Sequence, residues 1–516
     1  MEKELTTQVL IIGAGPTGLM AANQLMRFGI DFIIVDSKSG PTKESRALLV
    51  TARSLEIYDQ MGLAQTAIER GKRVESINLI NSGKHRAEVK IGEIGKGLSD
   101  FSYVLAFEQS KNEELLHENL VKHGKQVMWG HEFVELTEYK TEINASAKSN
   151  TGGIRIRAQY LIACDGARSP VRHKLNFSFK GGTYQHKFFV ADTKLIWDKS
   201  YDKLVVSPGN HSFCAFLPLY GDKNYRVLGT LPKEYSTRED ITFADLETVI
   251  KKTIGVPLEF EKVNWFSTYQ LHHRAVSHFS EGRVFLAGDS AHIHSPAGGQ
   301  GMNTGLQDAY NLCWKMALVL QKKSNVALLD TYNEERLPFA KWLLKFTDRM
   351  FSMMTSENWF IRFFRKYIAL RTAGLMLSSI RIKRSAFITV SQIGYSLRKS
   401  SLSKNFSRQK PGFKAGDRFP YLKDENIYSL LTGSTFHLIH INETPLDTDM
   451  REKIKSVFPF EVHIIEIKPT VGWKNLGVHR ELFILVRPDN YIAYLSDTFD
   501  LASMRSYLKN YFIVSL

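Results

Sequence analysis

Cysteine is scarce: the chain has three, Cys164, Cys214 and Cys313, far apart and outside any CxxC spacing. An odd, scattered set does not suggest a disulfide framework. It also lacks the clustered thiolates of a structural zinc site, so no metal is expected. A reducing cytoplasm is the expected location. Missing as well is any uncharged run near the ~20 residues that a membrane-spanning helix requires. The apolar stretch from Val9 to Ala22 follows the acids Glu2 and Glu4 and is broken by three glycines and Pro16, which argues against a secretory signal. No compact Lys/Arg block accompanies the net charge of +15. The excess reads as a lysine-rich surface, or one that attracts small anions, and nucleic acid is not an expected partner.

What is present is an ordinary globular composition, 43% hydrophobic and 23% charged, over 516 residues. That length exceeds one typical domain. The β-branched run Gln8–Ile12 leads into Gly13-Ala14-Gly15-Pro16-Thr17-Gly18. A helical stretch from Leu19 to Phe28 and a strand from Ile30 to Val35 follow, the latter ending in Asp36. This strand–turn–helix–strand order gives a GxGxxG pattern its meaning. Gly13 permits the tight turn, Gly15 lets backbone approach a pyrophosphate, and Gly18 allows helix and strand to pack closely. The helix N-terminus offers N–H groups and partial positive charge to phosphate, and Asp36 stands where a ribose diol would be bound. The motif alone leaves FAD and NAD both open.

Two distant segments bear on that choice. Tyr160–Arg172 runs from an apolar strand into the turn Asp165-Gly166. Arg283–His292 delivers Gly288-Asp289 from another strand. It continues through Pro296-Ala-Gly298-Gly299-Gln-Gly301-Met302-Asn303 into a helical stretch from Thr304 to Leu320. A strand-end carboxylate suits polyol hydroxyls, and N–H groups at a helix start suit a group that becomes anionic.

With these three motifs in order, and with Gly305, Asp308-Ala309, Asn311-Leu312 and Trp314-Lys315 behind them, the chain resembles the class A flavoprotein monooxygenases, the family of para-hydroxybenzoate hydroxylase and phenol hydroxylase. The resemblance covers roughly residues 5 to 345. It implies FAD as cofactor, NADPH or NADH as co-substrate, and O2 consumed through a flavin C4a-hydroperoxide that hydroxylates an aromatic, phenolic small molecule. It further implies that Asp36 binds the adenosine ribose, Arg46 approaches the pyrophosphate, Gln109 contacts FAD, and Asp165 serves FAD and nicotinamide dinucleotide binding. Asp289 would hold the ribityl chain, and the loop carrying Pro296, Gly299, Gly301, Met302 and Asn303 would lie beside the flavin pyrimidine. Arg46 and Gln109 also read as surface or capping residues, and Asp165 as a turn closer. No second GxGxxG is present, as in this family, and Gly472-Trp473-Lys474 does not open the motif of flavin-dependent halogenases.

The implied fold is α/β. A Rossmann-like FAD-binding domain with trailing helices (1–71, 109–173 and 279–400) carries an inserted mixed-sheet substrate domain (72–108 and 174–278), followed by a thioredoxin-like C-terminal domain (401–516). The third unit contains no CxxC, so a structural or homodimer-supporting role is expected of it. Tyr184, His186, His211, Phe213, Phe216, Pro218 and Tyr225 are pocket candidates, each equally readable as core or surface. Where phenol hydroxylase carries an acid after the second strand, this chain aligns Leu48, so no catalytic base is assigned. After a boundary at Pro338, the tract Phe360–Arg371 reads as a basic amphipathic helix that packs on the FAD domain or lies on a membrane surface. Residues 401–410 read as a polar linker. A monooxygenase acting on a polyketide or antibiotic scaffold is the alternative activity. A non-catalytic flavin-binding protein is a third reading, opposed by the intact GGQGMN loop.

Overall fold

The structure is a computed structural model describing residues 3–43, 47–81, 83–200, 202–208, 213–235, 238–295, 299–355 and 379–513. Arg46, Pro296, His211 and the tract Phe360–Arg371 lie outside the described residues.

The first sheet is built on Lys3–Ile12, whose last four residues are fully buried. A continuous apolar run is what a parallel strand covered on both faces requires. It pairs in parallel with Phe32–Asp36 on one side and Gly152–Ala163 on the other. Val284–Leu286 and Met128–Trp129 extend the parallel set outward. The connecting helix, Pro16–Arg27, starts with proline at its first position, where the missing N–H costs nothing.

The second, eight-stranded sheet runs in the order His292–Ile293, Leu258–Val276, Phe179–Trp197, Asn224–Thr230, Phe213–Pro218, Lys203–Pro208, Ser76–Asn81, Lys84–Lys90. Helix Phe243–Ile254 covers its back. A Thr242–Asp245 capping box opens that helix, and Gly255, left-handed at φ 69°, ends it. Side-chain alternation sends Phe189, Ala191, Cys214, Phe216, Tyr225 and Val227 into the core beneath that helix. Ala215, Leu217 and Leu228, with half-buried Phe213, occupy the opposite face with Leu48 and Leu49.

The C-terminal sheet places Val462–Ile467, Phe436–Ile441, Leu482–Val486 and Ile492–Ser496 side by side. The first pair is parallel and the next two pairs are antiparallel. Helices follow each of the two parallel strands and close the unit at Leu501–Lys509. This is the βαβ–ββα topology of thioredoxin, and all three cysteines lie outside it.

Two local expectations are corrected. Pro338 is no boundary but lies inside helix Ala327–Thr355. Burial of Phe339, Ala340 and Leu343 on that helix outweighs the single hydrogen bond that proline removes. Residues 401–410 are not a free linker either. Ser401 bonds the Glu334 carboxylate, Leu402 is core, and Lys404–Asn405 adds an edge strand beside Tyr494–Leu495. Polar serines looked solvated because their partners are distant in sequence. Among the described residues no helix is long and apolar enough to cross a membrane, and no cluster of three metal-ligating side chains occurs.

Candidate functional site

The three glycine-bearing motifs converge where the parallel strands end. Gly13 N–H donates to the Val35 carbonyl at 2.8 Å, Cys164 N–H to Ile12 at 2.7 Å, and Ala287 N–H to Ala163 at 3.0 Å. Their turns therefore rise from one sheet edge, the place where ligands bind in open parallel sheets. Gly13 adopts φ +98°, and a Cβ there would stand 2.4 Å from the Cys164 carbonyl oxygen. Thr17 is packed against the Gly288 turn and helix Gly301–Leu320, since a Cβ on Gly288 or Gly305 would come within 2.5 and 2.2 Å of its hydroxyl oxygen. A Cβ on Gly15, in contrast, would meet nothing within 4 Å. Gly15 thus faces open space at the helix N-terminus, the cradle a pyrophosphate needs.

Asp36 lies at the end of its strand, accepting the Ala14 N–H at 2.6 Å and the Lys38 N–H at 2.8 Å. These bonds orient the carboxylate and leave acceptor capacity for a diol. Gln109 begins helix Gln109–Lys122 and bonds buried Glu113, which in turn receives the Thr42 N–H and Lys38 Nζ. The Gln109 N–H and Arg226 both donate to the Ala47 carbonyl, at 3.1 and 3.2 Å, and Arg226 is held by a bidentate pair with Asp192 at 2.7 and 2.8 Å. Ala47, next to Leu48, is therefore strapped to both the first unit and the second sheet.

Asp165 accepts the Val171 N–H through Oδ2, while its Oδ1 is buried without a partner. Burial pushes its carboxyl up to about 6, against the opposing pull of Ser169, the Val171 N–H and Arg172. A pKa raised on folding means stability that is complete below the ordinary 3.8 and is lost as pH rises through about 6. Asp165→Asn should therefore flatten the apoprotein's denaturation free energy between roughly pH 4 and pH 6, and stabilise it by about 1–3 kcal/mol above that range. Urea titrations at several pH values measure this.

Asp289 sits in the short turn Gly288–Ser290, open to the groove and, among the described residues, in no hydrogen bond. The dense protein around the turn nevertheless raises its carboxyl, with His292 opposing. Beneath it lies a buried constellation that motif reading did not assign. Asp308 accepts from His292 Nε2 at 2.6 Å, from Arg336 Nε at 2.7 Å and from the Gly288 N–H at 3.1 Å. Burial alone would raise Asp308, but Arg336 and His292 hold it below the ordinary carboxylate value. The available signal was the single acidic residue in the middle of helix Gly301–Leu320. Asp308 fixes the turn and leaves Asp289 free for a ligand. Asp289→Ala should weaken FAD affinity by about 10- to 100-fold, as expected for one or two charge-assisted hydrogen bonds, with little change in apoprotein melting; fluorescence titration of the apoprotein measures it.

Helix Gly301–Leu320 begins at the loop, and its first N–H groups have no acceptor within the helix. Met302 is core. The Asn303 side chain is wholly engaged by protein. Its Oδ1 accepts from Thr51 N–H, Thr51 Oγ1 and Ser54 Oγ at 3.0, 3.2 and 2.7 Å, and its Nδ2 donates to Leu49 and Gly299 carbonyls at 2.8 and 2.9 Å. Only its backbone remains to meet a ligand. Gly299, at φ +65°, lies against Leu49, which a Cβ would approach to 3.0 Å.

Of the pocket candidates, Phe216, Pro218 and Tyr225 belong to the back register of the second sheet, and Phe216 and Tyr225 are buried under helix Phe243–Ile254. Phe213 faces the side of Leu49. Tyr184 donates to Asp348 at 2.7 Å and packs at a tilt against Phe351, which ties it to helix Ala327–Thr355. His186 is half-buried at a bulge in its strand.

The residues present fit FAD. A Cβ on Gly15 would meet open space, Asp36 and Asp289 keep acceptor capacity at or just past the ends of two parallel strands, and helix Gly301–Leu320 starts after the loop that follows Asp289. Comparison with known proteins agrees. Residues 6–347 match the FAD binding domain family. Pentachlorophenol 4-monooxygenase of Sphingobium chlorophenolicum is 30% identical over 94% of this chain and 93% of that protein. The 6-methylpretetramide 4-monooxygenase of Streptomyces rimosus is 32% identical over 68% of this chain, a match that spans 63% of that enzyme's length. The flavin-dependent monooxygenase PieE, solved with FAD and substrate, superposes with a TM-score of 0.79 over 98% of both chains at 22% identity, a likeness of fold. The chain belongs to the FAD-dependent monooxygenases built on this FAD binding domain.

Proposed function

We propose that the protein uses NAD(P)H and O2 to hydroxylate an aromatic, phenolic small molecule. The observation that carries this reading is the apolar face formed by Phe213, Ala215, Leu217 and Leu228 with Leu48 and Leu49, continuous through Leu49 with the Gly299 turn. Such a wall suits a planar ring and keeps water from a reaction that water would uncouple. When bound, FAD supplies the redox chemistry and activates dioxygen. The chain's own part is placement and electrostatics. Asp36 and Asp289 bind hydroxyls, Gly15 admits phosphate, and the start of helix Gly301–Leu320 offers N–H groups to negative charge on the ring system. Asp165 is assigned to cofactor binding, Gln109 and Arg46 to the FAD side of the groove, and Pro296, Gly301, Met302 and Asn303 to the loop beside the flavin. The nicotinamide cofactor uses no domain of its own.

The same reading divides the chain into an FAD-binding domain (1–71, 109–173, 279–400), a substrate domain (72–108, 174–278) and a C-terminal domain (401–516). It also makes the protein a cytoplasmic enzyme that can form a homodimer. One observation favours a second substrate class. Leu48 is buried in the apolar cluster where a small phenol would want an acid, which suits a larger fused-ring polyketide or antibiotic scaffold held by shape. The discriminating experiment supplies FAD-loaded protein with simple phenols and with fused-ring phenols, and follows NAD(P)H oxidation together with hydroxylated product and peroxide. Coupled product from simple phenols supports the first reading, and from fused-ring phenols only, the second. NAD(P)H oxidation that no aromatic compound stimulates would reject both.

A further inference from the structure

Asn311, Trp314 and Lys315, on the helix that begins at the flavin loop, are used by the C-terminal unit. Trp314 Nε1 donates to Asp489 Oδ2 at 3.0 Å. Asn311 Nδ2 donates to Glu335 Oε2 at 2.7 Å and Asp489 Oδ2 at 3.3 Å, and Lys315 Nζ donates to Asn311 Oδ1 and Glu335 Oε2. Arg487 closes the set, donating to Glu335 at 2.6 and 3.0 Å and to Asp489 Oδ1 at 2.9 Å. Lys315, Glu335, Arg487 and Asp489 are each 1% exposed or less, and their charges sum to zero. The same turn reaches a second helix, because Arg53 of Ala52–Asp59 donates to the Asp489 carbonyl at 2.6 Å. Ser54, the next residue along that helix, is one of the donors to Asn303.

We propose that the Arg487-Pro488-Asp489 turn is a positioning element for the flavin site. It holds helix Gly301–Leu320 and helix Ala52–Asp59 at the spacing that lets Asn303 pin the loop. The inference rests on the assignment of the groove to FAD. Docking of the C-terminal unit alone would be served by the apolar cluster that Trp314 shares with Phe436 and Leu438. Buried charge networks add little net stability, and their directional bonds are suited to fixing register. The turn bonds side chains on both helices that meet at Asn303, and this geometry is what a docking role leaves unexplained.

Trp314→Phe removes one donor to Asp489 and keeps a ring in the core. Tyr421→Phe removes a bond from the C-terminal unit to Asp100, away from the Arg487-Pro488-Asp489 turn, and serves as control. FAD binding is titrated on folded apoprotein, well below its melting temperature. Trp314→Phe is expected to weaken FAD affinity about tenfold while Tyr421→Phe stays within about twofold of the parent. Asp489→Ala is expected to lose more; should it not fold, Trp314→Phe decides alone. Parent-like FAD affinity in Trp314→Phe, or an equal loss in Tyr421→Phe, would overturn the proposal. Failure of the parent protein itself to bind FAD would instead count against the assignment of the groove.

Discussion

Gly18→Ala is expected to abolish FAD binding and to yield a poorly folded protein. A methyl group there would stand 1.9 Å from the Gly13 carbonyl oxygen and 3.2 Å from Cys164 Cβ. The first neighbour is backbone at a turn already fixed by Gly13 at φ +98°, so the clash cannot be relieved by a rotamer change. Relief requires helix Pro16–Arg27 to move away from the strand end, which separates the helix N-terminus from Asp36 and opens the core around Leu19 and Ala22. Overpacking of this kind costs about 1–3 kcal/mol where side chains can adjust, and more where only backbone can give. Soluble yield, thermal melting and flavin content after FAD addition measure the effect. A folded variant that retains stoichiometric flavin would show that the turn is not the one described.

Asn303→Ala should be nearly as damaging, for a different reason. The substitution strips acceptors or donors from five groups at once, on buried Thr51 and Ser54 and on half-buried Leu49 and Gly299. Each buried group left unsatisfied costs about 1–3 kcal/mol, so even with partial relaxation the expected loss is about 3–5 kcal/mol. FAD affinity should fall by about 100-fold, because the loop carrying Gly299 would no longer be held to strand Leu49–Val50. Asn303→Asp tests the reasoning. It keeps an acceptor for Thr51 and Ser54 but sets a carboxylate oxygen against two carbonyls, so it should be no better than alanine. Denaturant melts with parallel FAD titrations measure both variants.

The meeting of the glycine motifs was legible in sequence because each of its requirements is local. Gly13, Gly15 and Gly18 are needed within one turn, and Asp36 ends a strand and Asp289 lies just after one, each strand recognisable by its apolar run. Their convergence then follows from parallel pairing of Lys3–Ile12, Gly152–Ala163 and Val284–Leu286. What holds the groove in shape was not legible. The Asn303 side chain reads as a flavin-loop residue, yet all its partners are protein, and those at 49–54 lie about 250 positions away. The Arg487–Glu335 pair joins positions 152 apart, and no local pattern links them.

The second sheet failed for another physical reason. Strand Phe213–Pro218 is apolar on both faces, so its alternation cannot reveal which side is covered by a helix. Helix Phe243–Ile254 decides it by covering Phe216 and Tyr225. Pro338 misled in the same way, since one strong local signal lost to the summed burial of its neighbours.

With FAD and NAD(P)H supplied, the protein is expected to insert an oxygen atom into an aromatic ring. The most direct test incubates FAD-loaded protein with NAD(P)H, a phenolic substrate and heavy-isotope dioxygen, then examines the product by mass spectrometry. The account predicts a hydroxylated ring carrying one heavy oxygen atom, with the label lost in Asp289→Ala in proportion to its lost flavin. Product oxygen derived from water, or labelled peroxide alone with every aromatic compound offered, would contradict it.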